Sequence, residues 1–121
     1  MMLQCERRDA GEVSVLSLSG RLVFGAESQA FNRQIRELAA QGRTRVLLNL
    51  TQVSFIDSCG VGELVAGYTT LTKAGGGLKL ASPQKFVEEV LRIARLPRIV
   101  DLFATEGEGL AAFAAGESQH G

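Results

Sequence analysis

The sequence contains one histidine, no tryptophan and only two cysteines, Cys5 and Cys59. The histidine, His120, lies in a terminal Gly-Glu-Ser-Gln-His-Gly segment, so we expect neither a histidine base beside a nucleophile nor a histidine metal site. The cysteines lie far apart, and the first residues lack the basic-then-apolar order of a secretion signal. These features favour a reduced, cytoplasmic protein.

Excess charge and long apolar segments are also missing. Thirteen basic and thirteen acidic residues cancel, so no overall field attracts nucleic acid or anionic lipid. The apolar runs are only a few residues long, whereas a membrane-spanning helix needs about 20. We therefore expect no direct binding of nucleic acid and no membrane segment, and any partner must be recognised by local shape and chemistry.

The remaining composition is that of a folded domain. The chain has 121 residues, of which 45% are hydrophobic and 21% are charged, as in ordinary globular proteins. A chain of this length can bury roughly two-thirds of its unfolded surface without metals or disulfides. We predict a single domain over residues 1–116, followed by a flexible C-terminal tail, 117–121.

The first half of the sequence predicts a hairpin, a helix and a central strand. Segments 2–8 and 12–19 flank an Asp-Ala-Gly turn and suit paired strands. Residues 45–50 are nearly all apolar, which is typical of a strand covered on both faces. The helices before and after this strand are indicated by apolar residues at helical spacing: Phe31, Ile35, Leu38 and Ala39, then Val61, Leu64, Val65, Tyr68 and Leu71.

The second half continues the alternation of strand and helix. Residues 78–81 suit a short strand, after which Ser82 is the expected N-cap of a helix with Pro83 at its first position. The predicted apolar face of that helix is Phe86, Val87, Val90, Leu91 and Ala94, and Pro97 ends it. A strand at 99–103 and a last helix through Leu110, Phe113 and Ala114 complete the order.

Single helices between strands imply parallel pairing by right-handed crossovers after the initial hairpin. The predicted fold class is therefore α/β. We expect a mixed β-sheet, with the hairpin first and mostly parallel strands after it, and about four α-helices.

The polar segment Asp57-Ser58-Cys59-Gly60 interrupts this pattern and has two explanations. Ser58 or its neighbour could cap the helix that starts near Cys59, with Asp57 favoured by the positive helix end. Alternatively, the segment follows a central strand at a helix N-terminus, where open α/β sheets place ligands and anions are favoured. Phosphorylation of Ser58 would change the local charge there by about −2.

Catalysis by this segment is not expected. No histidine is placed to activate Ser58 or Cys59. The glycines Gly60 and Gly62 lack the third glycine of a dinucleotide fingerprint, since Val65 occupies that place, and no P-loop is present. We predict no catalytic residue, no metal site and no cofactor.

The segment VLLNLTQVSFIDSCGVGELV resembles the signature of STAS domains, in particular the bacterial anti-sigma factor antagonists, and the resemblance extends over nearly the whole chain. It implies a cytoplasmic protein whose unphosphorylated form binds an anti-sigma factor and thereby frees a sigma factor. The implied anti-sigma factor resembles histidine-kinase ATPase domains and acts as the kinase of Ser58, and a separate phosphatase removes the phosphate.

The resemblance and the pattern together predict a partner-binding surface around Ser58. Its expected members are Arg21, Val23, Phe24, Asp57, Ser58, Cys59, Gly60, Val61, Gly62 and Glu63. Two of these depart from the family pattern. Val23 stands where many relatives carry an acidic residue, and Cys59 replaces a second serine or threonine. We expect Cys59 to be a small packed residue.

The sequence is also compatible with two other functions. The same fold could serve as a scaffold subunit of another assembly, such as a stressosome or a lipid-transport complex. The chain could also be a small enzyme that uses Ser58 or Cys59, or a nucleotide sensor. The sequence leaves the formation of a homodimer open.

Overall fold

An antiparallel hairpin begins the fold. The computed structural model describes residues 3–23 and 25–116, so the predicted tail, 117–121, lies outside the described residues. Strand β1, Gln4–Ala10, pairs antiparallel with strand β2, Val13–Leu22. Gly11 lies in the connection with a φ of 62°, a conformation that favours glycine. The predicted hairpin is confirmed.

Helices and strands alternate after the hairpin. The described residues contain these further elements: α1 Ala26–Ala40, β3 Arg45–Ile56, α2 Ser58–Lys73, β4 Gly77–Ala81, α3 Lys85–Ile93, a short 3-10 turn Leu96–Arg98, β5 Asp101–Phe103 and α4 Glu106–Ala114. None of the helices within the described ranges is both long and apolar enough to span a bilayer.

The five described strands form one mixed sheet in the order β1-β2-β3-β4-β5. Strands β2 to β5 are parallel, which confirms the predicted α/β class. Strand β3 lies in the middle, as predicted, but it continues to Ile56 because its pairing with β2 extends, through two irregularities, to the end of β2. The carboxyl ends of β2, β3 and β4 therefore share one edge of the sheet.

The sheet is covered on both faces. The larger hydrophobic core packs α1, α2 and α3 against one face, and its buried helix residues are Phe31, Ile35, Leu38, Leu64, Leu71, Val87 and Leu91. A smaller cluster packs α4 against the other face through Phe113, with Val13, Val15, Leu47 and Ala81 from the strands. Two-sided coverage explains why β3 is nearly all apolar in its first half.

Helix α3 begins later than predicted. Its first residue is Lys85 and its N-cap is Gln84, so the prediction of Ser82 as the cap and Pro83 as the first helical residue is wrong. Ser82 instead has a φ of 58°, and its N–H donates to the Phe103 carbonyl at 3.0 Å. Pairing with β5 thus holds Ser82 outside the helix.

Two residues on the predicted apolar face of α3 are exposed. Val87 and Leu91 are buried, but Phe86 is 48% exposed and Ala94 is also exposed. After the helix, Pro97 lies in the 3-10 turn, and β5 begins at Asp101 rather than Ile99. The fully buried stripe of α3 is therefore narrower than the sequence pattern indicates.

Strand β3 is also tied to α4 by polar contacts. The Asn49 amide donates to Glu106 Oε1 at 3.0 Å, and Arg8 forms an ion pair with the same carboxylate. The pKa of the Glu106 carboxyl lies below its ordinary value. The hydrogen bond from Asn49 is the larger cause, and the contacts with Arg8 also lower it. These contacts lie on the sheet face opposite α1, α2 and α3, and they help to position α4.

A charged pair lies beneath α4. The Lys79 side chain is fully buried, and its Nζ donates to Asp101 Oδ2 at 2.9 Å. The same nitrogen lies 4.9 Å from the Phe113 ring centre and 5.7 Å from that of Phe103. The alternation Leu78-Lys79-Leu80 suits a strand with one polar face, but α4 covers that face.

We expect Lys79→Ala and Lys79→Met to differ clearly in stability. The alanine variant leaves a cavity and removes the cation from Asp101, which should lower the free energy of unfolding by about 2–3 kcal/mol. The methionine variant also removes the cation from Asp101 but keeps most of the packed volume, so we expect it to lose about 1–2 kcal/mol less than the alanine variant. Urea unfolding measures both values. An equal loss of unfolding free energy in the two variants would show that the missing charge, and not the cavity, causes the loss.

Candidate functional site

The polar segment lies where β3 ends and α2 begins. Asp57 is the N-cap of α2, and its Oδ1 accepts a hydrogen bond from the Gly60 N–H at 2.9 Å. Its carbonyl accepts from the Val61 N–H at 3.0 Å. Ser58 is therefore the first helical residue, and of the two capping alternatives that the sequence left open, the neighbour Asp57 and not Ser58 is the cap. The hydroxyl of Ser58 is not used for capping, because the Asp57 carboxylate performs that role.

Gly60 holds the first turn of α2 against the end of β2. A Cβ atom at this position would lie 2.1 Å from the Leu22 carbonyl oxygen and 2.8 Å from Ile56 Cγ1. The Asp57 N–H also donates to the Leu22 carbonyl, at 3.4 Å. Only a residue without a side chain allows this approach, so Gly60 joins the ends of β2 and β3 to the helix.

Several of the predicted site residues are exposed around this junction. Ser58, Cys59, Gly62 and Arg21 are exposed, whereas Val61, Glu63, Asp57 and Val23 are half-buried. The structure thus brings the end of β2 next to the start of α2, as the predicted surface requires. Phe24, also predicted for this surface, lies outside the described residues.

Cys59 is exposed and is not the small packed residue that the sequence predicts. Its side chain is exposed and it is a free cysteine. The buried positions of α2 are Gly60, Leu64, Gly67 and Leu71, so Cys59 lies to the solvent side of Gly60. The thiol is therefore part of the surface around Ser58.

Asn32 supports the site and was not predicted. This residue of α1 is only 5% exposed. Its Nδ2 donates to both the backbone carbonyl and the side-chain Oε1 of Glu63, each at 3.0 Å. Asn32 thereby fixes the Glu63 carboxylate and links α1 to α2. In the sequence, the only indication that Asn32 is buried is its position directly after Phe31, on the apolar side of α1.

An aromatic pair lies close to the site and was also missed. The rings of Phe55 and Phe86 are stacked, with centres 5.4 Å apart and planes at 17°. The guanidinium carbon of Arg21 lies 5.1 Å from the centre of the Phe55 ring. Arg21 and Phe55 are register partners on β2 and β3, so this cluster adjoins the predicted surface.

The start of α2 is able to accept an anion at Ser58. The backbone N–H groups of Ser58 and Cys59 have no acceptor among the described residues. The oxygens of Asp57 accept instead from the N–H groups of Gly60 and Val61. Free N–H groups and the helix dipole favour negative charge at this end of the 16-residue helix. No group of three His, Cys, Asp or Glu side chains that could hold a metal is found in residues 3–23 and 25–116.

The two cysteines should differ strongly in reactivity. Burial raises the pKa of the Cys5 thiol to about 11, whereas Cys59 is exposed. Because the thiolate is the reactive form, we expect iodoacetamide at about pH 8 to modify Cys59 at least about tenfold faster than Cys5. Peptide mass mapping over time measures both rates, and Cys59→Ser should remove the fast one. Comparable rates would contradict the burial of Cys5. Fast labelling here reports accessibility and does not indicate a catalytic thiol.

Comparison with known proteins agrees with this architecture. The family model described as the STAS domain matches residues 4–109. A candidate anti-sigma factor antagonist of Thermotoga neapolitana is 38% identical over 74 residues, which cover 61% of this chain and 66% of the relative. The aligned part therefore spans slightly less than two thirds of that relative.

Two solved structures resemble the whole fold. The crystal structure of a candidate anti-sigma factor antagonist from Thermotoga maritima superposes with a TM-score of 0.81 at 26% identity, covering 88% of this chain and 92% of the other. The Bacillus cell fate determinant SpoIIAA in its phosphorylated form gives a TM-score of 0.69 at 26% identity, covering 92% and 98%.

Proposed function

This chain belongs to the STAS domain family, and we propose that it is an anti-sigma factor antagonist switched by phosphorylation of Ser58. Its curated relatives and several of its structural neighbours carry the name anti-sigma factor antagonist. In the proposed switch, the unphosphorylated chain binds an anti-sigma factor and frees a sigma factor. The phosphorylated chain does not bind.

The observation that carries this proposal is the position of Ser58. Its side chain is exposed at the first position of α2, and capping is left to Asp57. A phosphate on Ser58 would meet the free N–H groups of the first turn, so the fold tolerates the modification. The cost would arise in the complex, where the phosphate and the neighbouring Asp57 carboxylate would be desolvated together.

The proposed partner surface is built from the two segments that meet at Gly60. One is the end of β2, with Arg21 and Val23, and the other is residues 57–63. Both segments contain exposed and half-buried residues, so a partner can contact side chains and backbone of each. Phe24 remains a predicted member of the surface.

The proposed partners follow from the family. They are an anti-sigma factor with a histidine-kinase-like ATPase fold, which acts as the serine kinase, and a phosphatase that reverses the reaction. We propose that the chain acts in the cytoplasm as a binding protein and not as an enzyme. This proposal is supported by the absence of a histidine near Ser58 and Cys59 in the sequence.

Incubation with a kinase-type anti-sigma factor of the same organism and ATP tests the switch. We expect intact mass to show one added phosphoryl group on the wild-type chain and none on Ser58→Ala. Ser58→Ala should still bind the anti-sigma factor. A phosphate on Ser58→Ala, or binding of the phosphorylated wild type as tight as that of the unmodified chain, would refute the proposal. Assembly with other STAS proteins, without binding of any anti-sigma factor, would favour the scaffold role.

A further inference from the structure

The aromatic cluster beside the site extends the surface on which the partner binds. Three large apolar side chains are exposed among the described residues: Phe86 at 48%, Ile93 at 82% and Ile99 at 41%. Phe86 alone of these lies at the start of α3, which follows the carboxyl end of β4. It therefore lies at the same edge of the sheet as the start of α2.

Direct contacts connect Phe86 to the site. The Phe86 ring stacks on the Phe55 ring, and the Arg21 guanidinium lies over the Phe55 ring. Phe55 also lies near the end of β3, two residues before Asp57. The aromatic patch, defined here as Arg21, Phe55 and Phe86, is thus continuous with the residues around Ser58.

The chemistry of the patch is that of a protein interface. Aromatic and arginine side chains are enriched among the residues that dominate binding energy, and stacked rings bury large areas with little loss of side-chain entropy. Lys85 and Arg21 are both exposed, and Arg21 forms no ion pair with any described residue. The patch therefore suits an apolar side chain flanked by a carboxylate.

We infer that the anti-sigma factor, when it binds around Ser58, places an apolar side chain of an acidic segment on the Phe86 ring. This inference rests on the proposed function and specifies a further part of the same interface. The phosphorylation switch and the aromatic patch act separately, because a charge on Ser58 changes the electrostatics at the start of α2, whereas Phe86 supplies apolar contact at the start of α3.

Phe86→Ala tests the patch, and Ile93→Ala is the matched control. Both residues are exposed apolar side chains of α3, at opposite ends of the helix. We expect Phe86→Ala to raise the Kd for the purified kinase-type anti-sigma factor by about tenfold or more, as for a central interface residue. Ile93→Ala should bind as the wild type does. Equal affinity for all three proteins, or equal loss in both variants, would overturn the inference.

Hydrogen exchange on the wild-type chain provides a test that needs no variant. Binding should slow exchange of the backbone amides of residues 85–88 as well as 58–63, and leave residues 92–95 unchanged. Protection of 58–63 without 85–88 would refute the patch while leaving the proposed function intact. If the wild type binds no anti-sigma factor, the proposed function fails and the inference fails with it.

Discussion

Gly60→Ala should destabilise the protein severely. The new methyl group would lie 2.1 Å from the Leu22 carbonyl oxygen, far inside any van der Waals contact. That oxygen belongs to the backbone of a strand paired along its length with β3, so it cannot rotate away as a side chain could. The first turn of α2 must then move away from β2, and we expect a loss of about 3 kcal/mol or more in the free energy of unfolding.

Gly62→Ala is the matched control for this prediction. Gly62 lies in the same turn of α2, and an added Cβ there meets nothing within 4 Å. Since alanine is the better helix former, this variant should be more stable than the wild type by about 0.5–1 kcal/mol. Thermal and urea unfolding of both variants measure the contrast. A Gly60→Ala variant as stable as the wild type would show that α2 does not pack against β2 as described.

Ser58→Glu should abolish most of the binding to the anti-sigma factor while leaving the fold intact. A carboxylate at the first position of α2 is favoured by the helix dipole, so the melting temperature should hardly change. In the complex, the same charge would be desolvated beside Asp57 without a cation to pair with. An uncompensated buried charge costs about 3–5 kcal/mol, which corresponds to a loss of affinity of more than about 100-fold.

Thr69→Glu controls for the added charge. Thr69 is an exposed residue of the same helix, 11 positions beyond Ser58 and therefore about 16 Å along the helix axis. Thr69→Glu makes the same change in net charge as Ser58→Glu but outside the proposed surface, so binding should be unaffected. Isothermal calorimetry with the unmodified anti-sigma factor compares the two variants with Ser58→Ala. Wild-type affinity for Ser58→Glu would remove the electrostatic basis of the switch.

The sequence was sufficient to place the candidate site at the junction of β3 and α2 but not to show its side-chain arrangement. The apolar strand followed by helical spacing places residues 57–60 at the junction of β3 and α2, and the structure agrees. The spacing does not show which residue caps the helix, because aspartate and serine are both good caps and are adjacent here. The carboxylate of Asp57 accepts from Gly60, which leaves Ser58 inside the helix.

The error at Cys59 has a physical cause. Two of the four buried positions of α2 are glycines, Gly60 and Gly67, and glycine contributes little to a pattern of hydrophobic residues. The predicted apolar face therefore began at Val61, and nothing in it showed that the helix turns Gly60 toward the sheet. With Gly60 facing inward, the preceding residue, Cys59, lies at the surface.

The exposure of Phe86 and the burial of Lys79 both arise from tertiary contacts. Helical spacing places Phe86 beside Val87, but β3 extends beyond β4 and offers Phe55 as a neighbour at the margin of the core. Lys79 looks like a surface residue in an alternating strand, yet α4 covers that face and Asp101 supplies the partner. Neither neighbour is adjacent in sequence, so local patterns could not indicate them.

The contact between Gly60 and Leu22 has a consequence for how binding specificity can change. Two segments of the proposed surface meet there through main-chain atoms, so their relative position does not depend on which side chains the exposed residues carry. Substitutions at Arg21, Cys59 or Gly62 can therefore alter the recognised chemistry while the geometry that presents Ser58 stays the same. Such a scaffold allows related chains in one cell to diverge toward different partners and avoid cross-talk, and it offers those three positions for engineering an insulated switch.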